Sequence, residues 1–559
     1  IIKARYDNAT HIIYFPGHPM LQGWLDYYLS RMAKLFLITL LAMALVLYYA
    51  FKSKRGVFLP LLSAAMATLW GLGLTAMCGF KLTPSTVLAP FLVFALGVSH
   101  SIQFIKLYYE HMKSGKKNSK AASIKITSSL FVPAFTGLLT DGIGPFTLFW
   151  VPLGMVKSLA IAIGFGVLSI FFSTVILIPN LLSFMSPPRR LEVMKEERTT
   201  LTNRILGYFA HLAINRKTRW TVIITFFVLT AVAILGTSQM VIGDKKPGTT
   251  LLYSSSPYNQ AEKFISETFG ATDPYYIFVE GKKQDAFLSS TVLKEMDSLQ
   301  RYLEREVRSV GRTLSLVEYI KGMNMSMFAA DPREFKIPDN DRTIAEYLFL
   351  YSLTGFPGDF DPVVNSNYQY ANIKVDVRDH KADTIKDVIA KTDYWIKNNH
   401  KDKNIEFYYA GGIIGMQAAV NDILAPMLTK NSLSTMLLVF MCLVFAYGSF
   451  VSGYILILPL IFRTLLVFGI LGFLKVGLTA EMIPMVALGI GFGDDFGIYI
   501  VSRIKDELKK GGCSLDGAVV EAMSTSGKAV FFTGLTLTIG IATWMFSTIL
   551  MQARLGALL

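Results

Sequence analysis

Two adjacent carboxylates lie inside an apolar segment near the end of the chain. Asp494 and Asp495 stand about 14 residues into the segment 480–501. Neighbouring residues on a helix point about 100° apart, and two close carboxylates in a medium of low dielectric constant resist ionising together. One of the pair is therefore expected to bind and release a proton near neutral pH, unless a water-filled crevice or a nearby cation keeps both charged.

A histidine occupies a similar depth in an earlier apolar segment. His100 is about 15 residues into the segment 85–107 and follows Ser99. An imidazole exchanges protons at physiological pH, although a lone histidine on an apolar helix is commonly a hydrogen-bonded packing residue. Ser99 could relay a proton or pack as a small side chain. Thr533, in the segment 526–549, is a further candidate for the relay, with packing as its alternative role.

One arginine lies too deep in an apolar segment to be an ordinary anchor at its end. Arg463 is about ten residues into the segment 453–474. Its guanidinium is always charged, so it needs a partner. The candidates are Asp494, Asp495, or a lipid headgroup that the long side chain reaches by snorkelling.

The segments that carry these residues have the length of membrane-crossing helices. The chain is 52% hydrophobic and 17% charged, whereas soluble domains are about a quarter charged. About twenty apolar residues cross a bilayer. We identify ten such segments: 33–50, 57–79, 85–107, 124–141, 156–182, 220–240, 433–450, 453–474, 480–501 and 526–549. The sequence therefore predicts a polytopic α-helical membrane protein.

The positive charge of the chain, +14 in total, is concentrated in alternate loops. The basic loops are 52–56, 108–123, 183–218 and 502–525. By the positive-inside rule these loops are cytoplasmic, and the stretch 242–430 lies outside the cytoplasm. Alternation with apolar segments argues against nucleic-acid binding, the other common use of basic clusters.

The chain contains an internal repeat. Three pairs of segments match in order: YFPG at 14–17 with YYAG at 408–411, GVSHSI at 97–102 with GDDFGI at 493–498, and FTGL at 135–138 with the same letters at 532–535. The offsets are 394, 396 and 397 residues. Parallel repeats of this kind build transporters whose halves move against each other. We expect the two bundles to face each other, with His100 and Ser99 approaching Asp494 and Asp495.

The repeat predicts the domain organisation. We expect a remnant of a first periplasmic domain, a bundle of five helices, a cytoplasmic linker, a leading helix, a second periplasmic domain and a bundle of four helices. The boundaries are 1–30, 31–182, 183–218, 219–241, 242–430 and 431–559, respectively. On this reading the chain is a fragment that lacks the first helix, most of the first periplasmic domain and the last helix.

The stretch 242–430 alternates strand and helix patterns. Residues 275–279, 371–377 and 405–409 have the composition of strands, and 289–308 and 382–398 that of amphipathic helices. This order predicts an α+β domain of ferredoxin-like, split βαβ type. Its two histidines, His380 and His400, lie among polar residues and are expected on the surface rather than as ligands.

The segment 489–503, GIGFGDDFGIYIVSR, is similar to the glycine-and-aspartate motif of the MMPL exporters, the hopanoid transporters and the sterol-sensing Patched-like proteins. The GHP at 17–19 also fits this branch of the resistance–nodulation–division (RND) superfamily. In this family intramembrane aspartates carry the protons that drive export. That role transfers to Asp494 and Asp495, whereas the matching stretch of the third segment contains Ser99 and His100 and no carboxylate.

The resemblance implies a proton-driven exporter of lipid or another hydrophobic molecule in a bacterial inner membrane, with a large periplasmic domain. Two other functions on the same scaffold stay open: a lipid-sensing receptor and a protein-translocation accessory. No nucleophile–base set or metal cluster is evident, so we expect no enzyme, cofactor or metal. The expected partners are a hydrophobic substrate, membrane lipids and protons, and no nucleic acid. A periplasmic partner protein and a homo-oligomer stay open.

Overall fold

The computed structural model describes residues 12–559 apart from 82, 114–117, 189–199, 246–247, 272, 357 and 511–513. The described residues form two compact units. The α+β unit contains Ile242–Ala425 with two short flanking pieces. The helical unit contains Gln22–Val241, Pro426–Val476 and Glu481–Leu559.

The helical unit is built from long apolar helices. Among the described residues, ten spans are long and apolar enough to cross a membrane, which confirms the predicted polytopic helical fold. In order they are α1 (His18–Phe51), α2 (Lys54–Met77), α3 (Leu88–Lys113), α4 (Ser119–Thr147), α5 with α6 (Gly154–Ile170 and Ile178–Phe184), α8 (Arg216–Thr237), α14 (Gly412–Tyr447), α15 (Phe450–Phe473), α16 with α17 (Ile483–Gly491 and Asp494–Lys509) and α19 (Ser526–Ala542). Shorter helices are α7 (Thr200–Ile214), α18 (Leu515–Ser524) and α20 (Leu550–Leu558).

Local sequence explains where the second span begins. Ser53 caps α2 by accepting a hydrogen bond from the Gly56 N–H at 3.1 Å, which satisfies one of the free donors of a helix start. Helix α4 continues through Pro133 and Pro145. The prediction ended this span at Asp141, but α4 runs on to Thr147, so Asp141 lies within the helix.

The ninth span is not the continuous helix that the apolar segment 480–501 predicts. Helix α16 ends at Gly491, Phe492 is extended, and α17 begins at Asp494. Gly493 between them has a φ of +94°. This conformation is open to glycine but cannot continue a right-handed helix. The break frees the carbonyl of Phe492 in the middle of the span, and Arg463 donates a hydrogen bond to it.

The α+β unit contains an antiparallel sheet in the order β3-β4-β2-β5. Its strands are β2 (Asp273–Gly281), β3 (Val310–Leu314), β4 (Tyr370–Val377) and β5 (Ile405–Gly411). A helix follows β2 and another follows β4, namely α10 (Ser290–Glu306) and α13 (Ala382–Asn399). This order and connectivity are those of the split βαβ fold, which confirms the predicted fold class. The two-residue strands β1 (Val241–Ile242) and β6 (Gly477–Leu478) pair separately.

Three further helices of this unit were not anticipated. They are α9 (Pro257–Phe269), before β2, and α11 (Leu316–Met327) and α12 (Asp341–Thr354), between β3 and β4. Ser315 and Glu318 start α11 with a reciprocal capping box, which satisfies two backbone donors at once. The sheet buries alternate residues of β2, Tyr275, Ile277 and Val279, each 0% exposed. Period-two alternation thus packs one face of the sheet against the helices.

The expectation that both histidines of this unit lie on the surface is wrong for His380. Its ring is 5% exposed, and its Nδ1 lies 2.8 Å from Oδ2 of Asp273. His400 is half-buried and contacts Glu295. In each case a carboxylate from a distant part of the chain supplies a partner, which the polar sequence context does not indicate.

Candidate functional site

The polar residues of the membrane spans meet where the two halves of the helical unit pack. Helix α3 packs against α19, and α4 packs against α16 and α17. The third span therefore contacts the tenth, and the fourth contacts the ninth. This crossed pairing is expected when two copies of one bundle face each other.

Glycines let the fourth and ninth spans approach closely. A Cβ added to Gly144 would meet the carbonyl oxygen of Ala487 at 2.6 Å. A Cβ at Gly137 would meet the Cβ of Asp495 at 3.1 Å and Cε1 of His100 at 3.4 Å. Small residues at helix contacts are typical of membrane bundles. Here Gly137 sits where a carboxylate of one half and an imidazole of the other come together.

His100 is fully buried and has a partner on each ring nitrogen. Its Nε2 lies 3.1 Å from Oδ2 of Asp141, and its Nδ1 lies 3.2 Å from the hydroxyl of Tyr499. With the proton on Nε2, the ring donates to Asp141 and accepts from Tyr499. With both nitrogens protonated, it forms an ion pair with Asp141. The ring can therefore hold or release one proton without leaving its place.

Two carboxylates flank this imidazole. Asp495 is 3% exposed and Asp141 is 1% exposed. Oδ1 of Asp141 has no hydrogen-bond partner among the described residues. The structure thus brings His100 and Asp495 together around Gly137, and it adds Asp141. The side chain of Asp494, the other predicted carboxylate, lies outside the described part of the chain.

Ser99 and Thr533 hold α3 against α19. The Thr533 hydroxyl donates to the backbone carbonyl of Ser99 at 3.5 Å, and the amide of Gln103 donates to Thr533 Oγ1 at 3.2 Å. The Ser99 hydroxyl is buried and has no partner within the described residues. Thr533 therefore links α19 to α3. Within the described residues, the Ser99 hydroxyl makes no hydrogen bond to a titratable side chain.

Arg463 lies beside the break in the ninth span. Its Nη1 donates to the carbonyl of Phe492. A Cβ at Gly493 would come within 2.7 Å of the same Nη1 atom. The guanidinium therefore occupies the place that a side chain at 493 would need. The predicted ion pair of Arg463 with Asp494 or Asp495 stays a prediction.

Two members of the cluster were missed in the sequence. The predicted segment 124–141 ends at Asp141, yet this residue lies one helical turn beyond Gly137 on the same face of α4. Tyr499 lies one turn beyond Asp495, so both project from one side of α17. Each residue lies four positions after a residue that the sequence singles out, Asp141 after Gly137 and Tyr499 after Asp495. This helical spacing is the signal that identifies them.

A polar cavity of about 590 Å³ extends from Tyr499 to the end of the bundle that carries basic residues. Charged residues of both halves line it, among them Lys106, Glu110, Lys125, Arg503, Asp506 and Lys509. The ion pair of Arg503 with Glu110, 2.7 Å long, joins α17 to α3 there. A polar cavity of this size is large enough to hold water. Tyr499 therefore lies between the buried cluster and this cavity.

The ten apolar spans and the crossed pairing of the third and fourth spans with the tenth and ninth are those of a polytopic helical membrane protein. Residues 18–233 and 362–559 match the model of the MMPL family. The chain belongs to the MMPL family.

Two relatives extend this comparison. The fold is similar to that of SecDF, a translocon-associated membrane protein from Thermus thermophilus, with a TM-score of 0.54 and 14% identity over 94% of this chain and 58% of that chain. A membrane protein of Methanocaldococcus jannaschii, MJ1562, is 29% identical over 100 residues, or 18% of this chain and 26% of that protein. The matched regions thus span about a quarter of MJ1562 by sequence and somewhat over half of SecDF by structure.

Proposed function

We propose that this chain is the core of a proton-driven RND-type exporter of lipid or another hydrophobic molecule. The observation that supports it is the buried cluster of His100, Asp141 and Asp495. A charged residue near the middle of a bilayer costs about 2.5–3.5 kcal/mol even on the lenient insertion scale. Burying three titratable side chains among membrane spans is costly. Such residues are therefore functional candidates by default.

Proton exchange at this cluster changes the charge between the two halves of the bundle. In the charge state with His100 neutral and both aspartates ionised, the cluster carries two negative charges across a tightly packed helix contact. Each proton taken up by Asp495 or His100 lowers that repulsion. Protonation therefore favours close packing of α3 and α4 on α17, and deprotonation favours their separation. Such a two-state contact is what alternating access requires.

The cavity next to Tyr499 is the proposed exit for the proton. Arg503 and Lys509, which line it, belong to the segment 502–525 that the positive-inside rule places in the cytoplasm. The proton then enters the cluster from the opposite side of the membrane and leaves through Tyr499 and the water-filled cavity. On this assignment the α+β unit is periplasmic, and the protein resides in a bacterial inner membrane.

The test is proton uptake by phospholipid vesicles that contain the purified chain and an internal pH-sensitive dye. An inside-negative potassium diffusion potential drives protons inward, and a short-chain fluorescent phospholipid serves as the hydrophobic substrate. Asp495→Asn should reduce uptake to the level of empty vesicles, because asparagine keeps the shape and cannot titrate. Glu521→Gln, which changes an exposed carboxylate of α18, is the control and should leave uptake unchanged. Full uptake by Asp495→Asn would refute the mechanism.

Protein translocation is the second candidate, and the fold similarity to SecDF favours it. A translocation accessory would conduct protons through the same cluster without moving the fluorescent phospholipid. Transfer of the phospholipid to acceptor vesicles, dependent on the proton gradient, supports export. Gradient-dependent stimulation of a co-reconstituted translocon, with no phospholipid transfer, supports the accessory. A wild-type chain without proton uptake favours the lipid-sensing function.

A further inference from the structure

Three buried residues of the α+β unit form a cluster that the proposed transport function does not use. Glu262 lies on α9, Asp273 begins β2, and His380 follows β4. One oxygen of each carboxylate and one ring nitrogen of His380 lie within 4.8 Å of one another. The three side chains come from separate parts of the chain, and each is at most 9% exposed.

The orientation of His380 is that of a metal ligand. Its Nε2 lies 3.1 Å from the carbonyl oxygen of Gly248. A carbonyl oxygen only accepts, so Nε2 carries the hydrogen and Nδ1 is the nitrogen that faces Asp273. Histidines that bind metals usually donate their other N–H to a carbonyl or carboxylate, which fixes the ring and its tautomer. The Gly248 carbonyl does this for His380.

The loop that carries Gly248 is itself held in place. Gly248 has a φ of +78°, and a Cβ there would meet Oδ1 of Asn259 at 2.7 Å. Asn259, on α9, accepts from the N–H of Thr249 and donates to the carbonyls of Thr249, Leu252 and Tyr253. The carbonyl that orients His380 is therefore part of a rigid support and not of a loose turn.

Glu262 provides the second observation that points to a ligand. Its Oε2 is buried and has no hydrogen-bond partner among the described residues, and it lies 3.7 Å from the Cβ position of Gly248. An ionised carboxylate that is buried without a partner is costly. Two carboxylates around one imidazole also leave an excess of negative charge.

We propose that Glu262, Asp273 and His380 bind one zinc ion, with a fourth position open to water. Zinc accepts nitrogen and oxygen ligands at about 2.0–2.2 Å, which places tetrahedral ligands about 3.3 Å apart. The three atoms need only small movements to reach this geometry. One imidazole with two carboxylates suits zinc better than calcium or magnesium, which prefer oxygen ligands alone. The ion replaces the proton between His380 Nδ1 and Asp273.

Bound zinc would join α9 to the sheet. At present the Oε2 atom of Glu262, on α9, has no hydrogen-bond partner in the described part of the chain, whereas Asp273 and His380 already contact each other. A ligand bond to Glu262 therefore adds a link between α9 and the start of β2. The expected consequence is a rise in the thermal stability of the α+β unit when zinc is present.

The test uses the purified full chain without an affinity tag, treated with a chelator and then dialysed against zinc chloride. The wild-type chain should retain one zinc per chain more than Glu262→Gln, and Glu262→Gln should weaken zinc affinity at least tenfold. His400→Gln is the matched control, because His400 also contacts a carboxylate, Glu295, but belongs to no three-ligand cluster among the described residues. That variant should bind zinc as the wild type does.

Thermal melting separates a ligand from a purely structural residue. Without metal, Glu262→Gln should melt at the wild-type temperature or above it. The substitution removes a buried charge, and it breaks no hydrogen bond between Oε2 and the described residues. With zinc, the wild type and His400→Gln should gain stability, and Glu262→Gln should not. Equal zinc retention by Glu262→Gln and the wild type would mean an adventitious ion only and overturn the proposal. A larger rise with calcium than with zinc would overturn it as well.

Discussion

Replacing Gly137 with alanine tests whether His100 and Asp495 work as neighbours. The added Cβ would lie 3.1 Å from the Cβ of Asp495 and 3.4 Å from Cε1 of His100. Carbon atoms in contact are normally about 3.5–4.0 Å apart. Alanine must therefore push the two side chains, or the helices that carry them, apart by a few tenths of an ångström. Overpacking of this kind costs about 1–3 kcal/mol.

The cost should appear as a loss of proton transport. If about 1–2 kcal/mol of it falls on the geometry of proton transfer, the rate decreases roughly 5- to 30-fold, since 1.36 kcal/mol corresponds to a factor of ten. Alanine introduces no charge and no polar group. The titratable groups therefore stay the same, and only their spacing changes.

The assay is the vesicle uptake of protons described above, with thermal melting of the same preparations. Gly142→Ala is the matched control on α4, because its Cβ would meet only Cγ1 of Val167 at an ordinary 3.9 Å. It should transport normally. Gly144→Ala, which would clash with a backbone oxygen, should instead lower the melting temperature. If Gly137→Ala and Gly142→Ala transport protons within twofold of each other, the reasoning about the cluster is wrong.

Two further predictions concern single side chains. Asp141→Asn should abolish proton uptake while the melting temperature stays within a few degrees, and uptake above one half of wild type would exclude Asp141 from the relay. Asp297→Asn should destabilise the α+β unit by about 3–5 kcal/mol in thermal melting, because it leaves the buried Lys321 ammonium without its partner. Burial alone would raise the pKa of Asp297, but hydrogen bonds from Arg301 and Lys321 hold that pKa below its usual range. The stabilisation by Asp297 is therefore complete above about pH 4, and it is lost as the pH falls through the lowered pKa of the folded state. The difference in stability between wild type and variant should stay constant from pH 5 to 8 and shrink in acid.

The sequence contains enough information to predict the class of fold. Apolar runs of about twenty residues locate the spans, because crossing a bilayer sets a minimum length. Alternation in 371–377 locates a central strand, because one face of a sheet is buried. The break at Gly493 could not be predicted in the same way. A glycine within an apolar run is compatible with a continuous helix, and the hydrogen bond from Arg463 to the Phe492 carbonyl at the break is visible only in the fold.

The candidate site was predictable in part for a related reason. The cost of burying charge selects Asp495 and His100 from the sequence without further knowledge. It also applies to Asp141, which is the last residue of the predicted segment 124–141 and lies inside the span only because α4 continues to Thr147. The cluster of Glu262 and His380 gave no signal at all. These residues are polar in polar surroundings, and only the folding of α9 and β4 onto one loop buries them together.

The repeat accounts for the composition of the buried cluster. With an offset of 396 residues Ser99 matches Asp495, and with an offset of 397 Asp141 matches Thr538. Each half thus places its buried carboxylate on a different helix, α4 in the first half and α17 in the second, and these two helices pack against each other. Neither half holds the complete cluster by itself. A change of protonation therefore acts directly on the contact between the halves, which is the contact that must loosen and tighten if they are to move against each other.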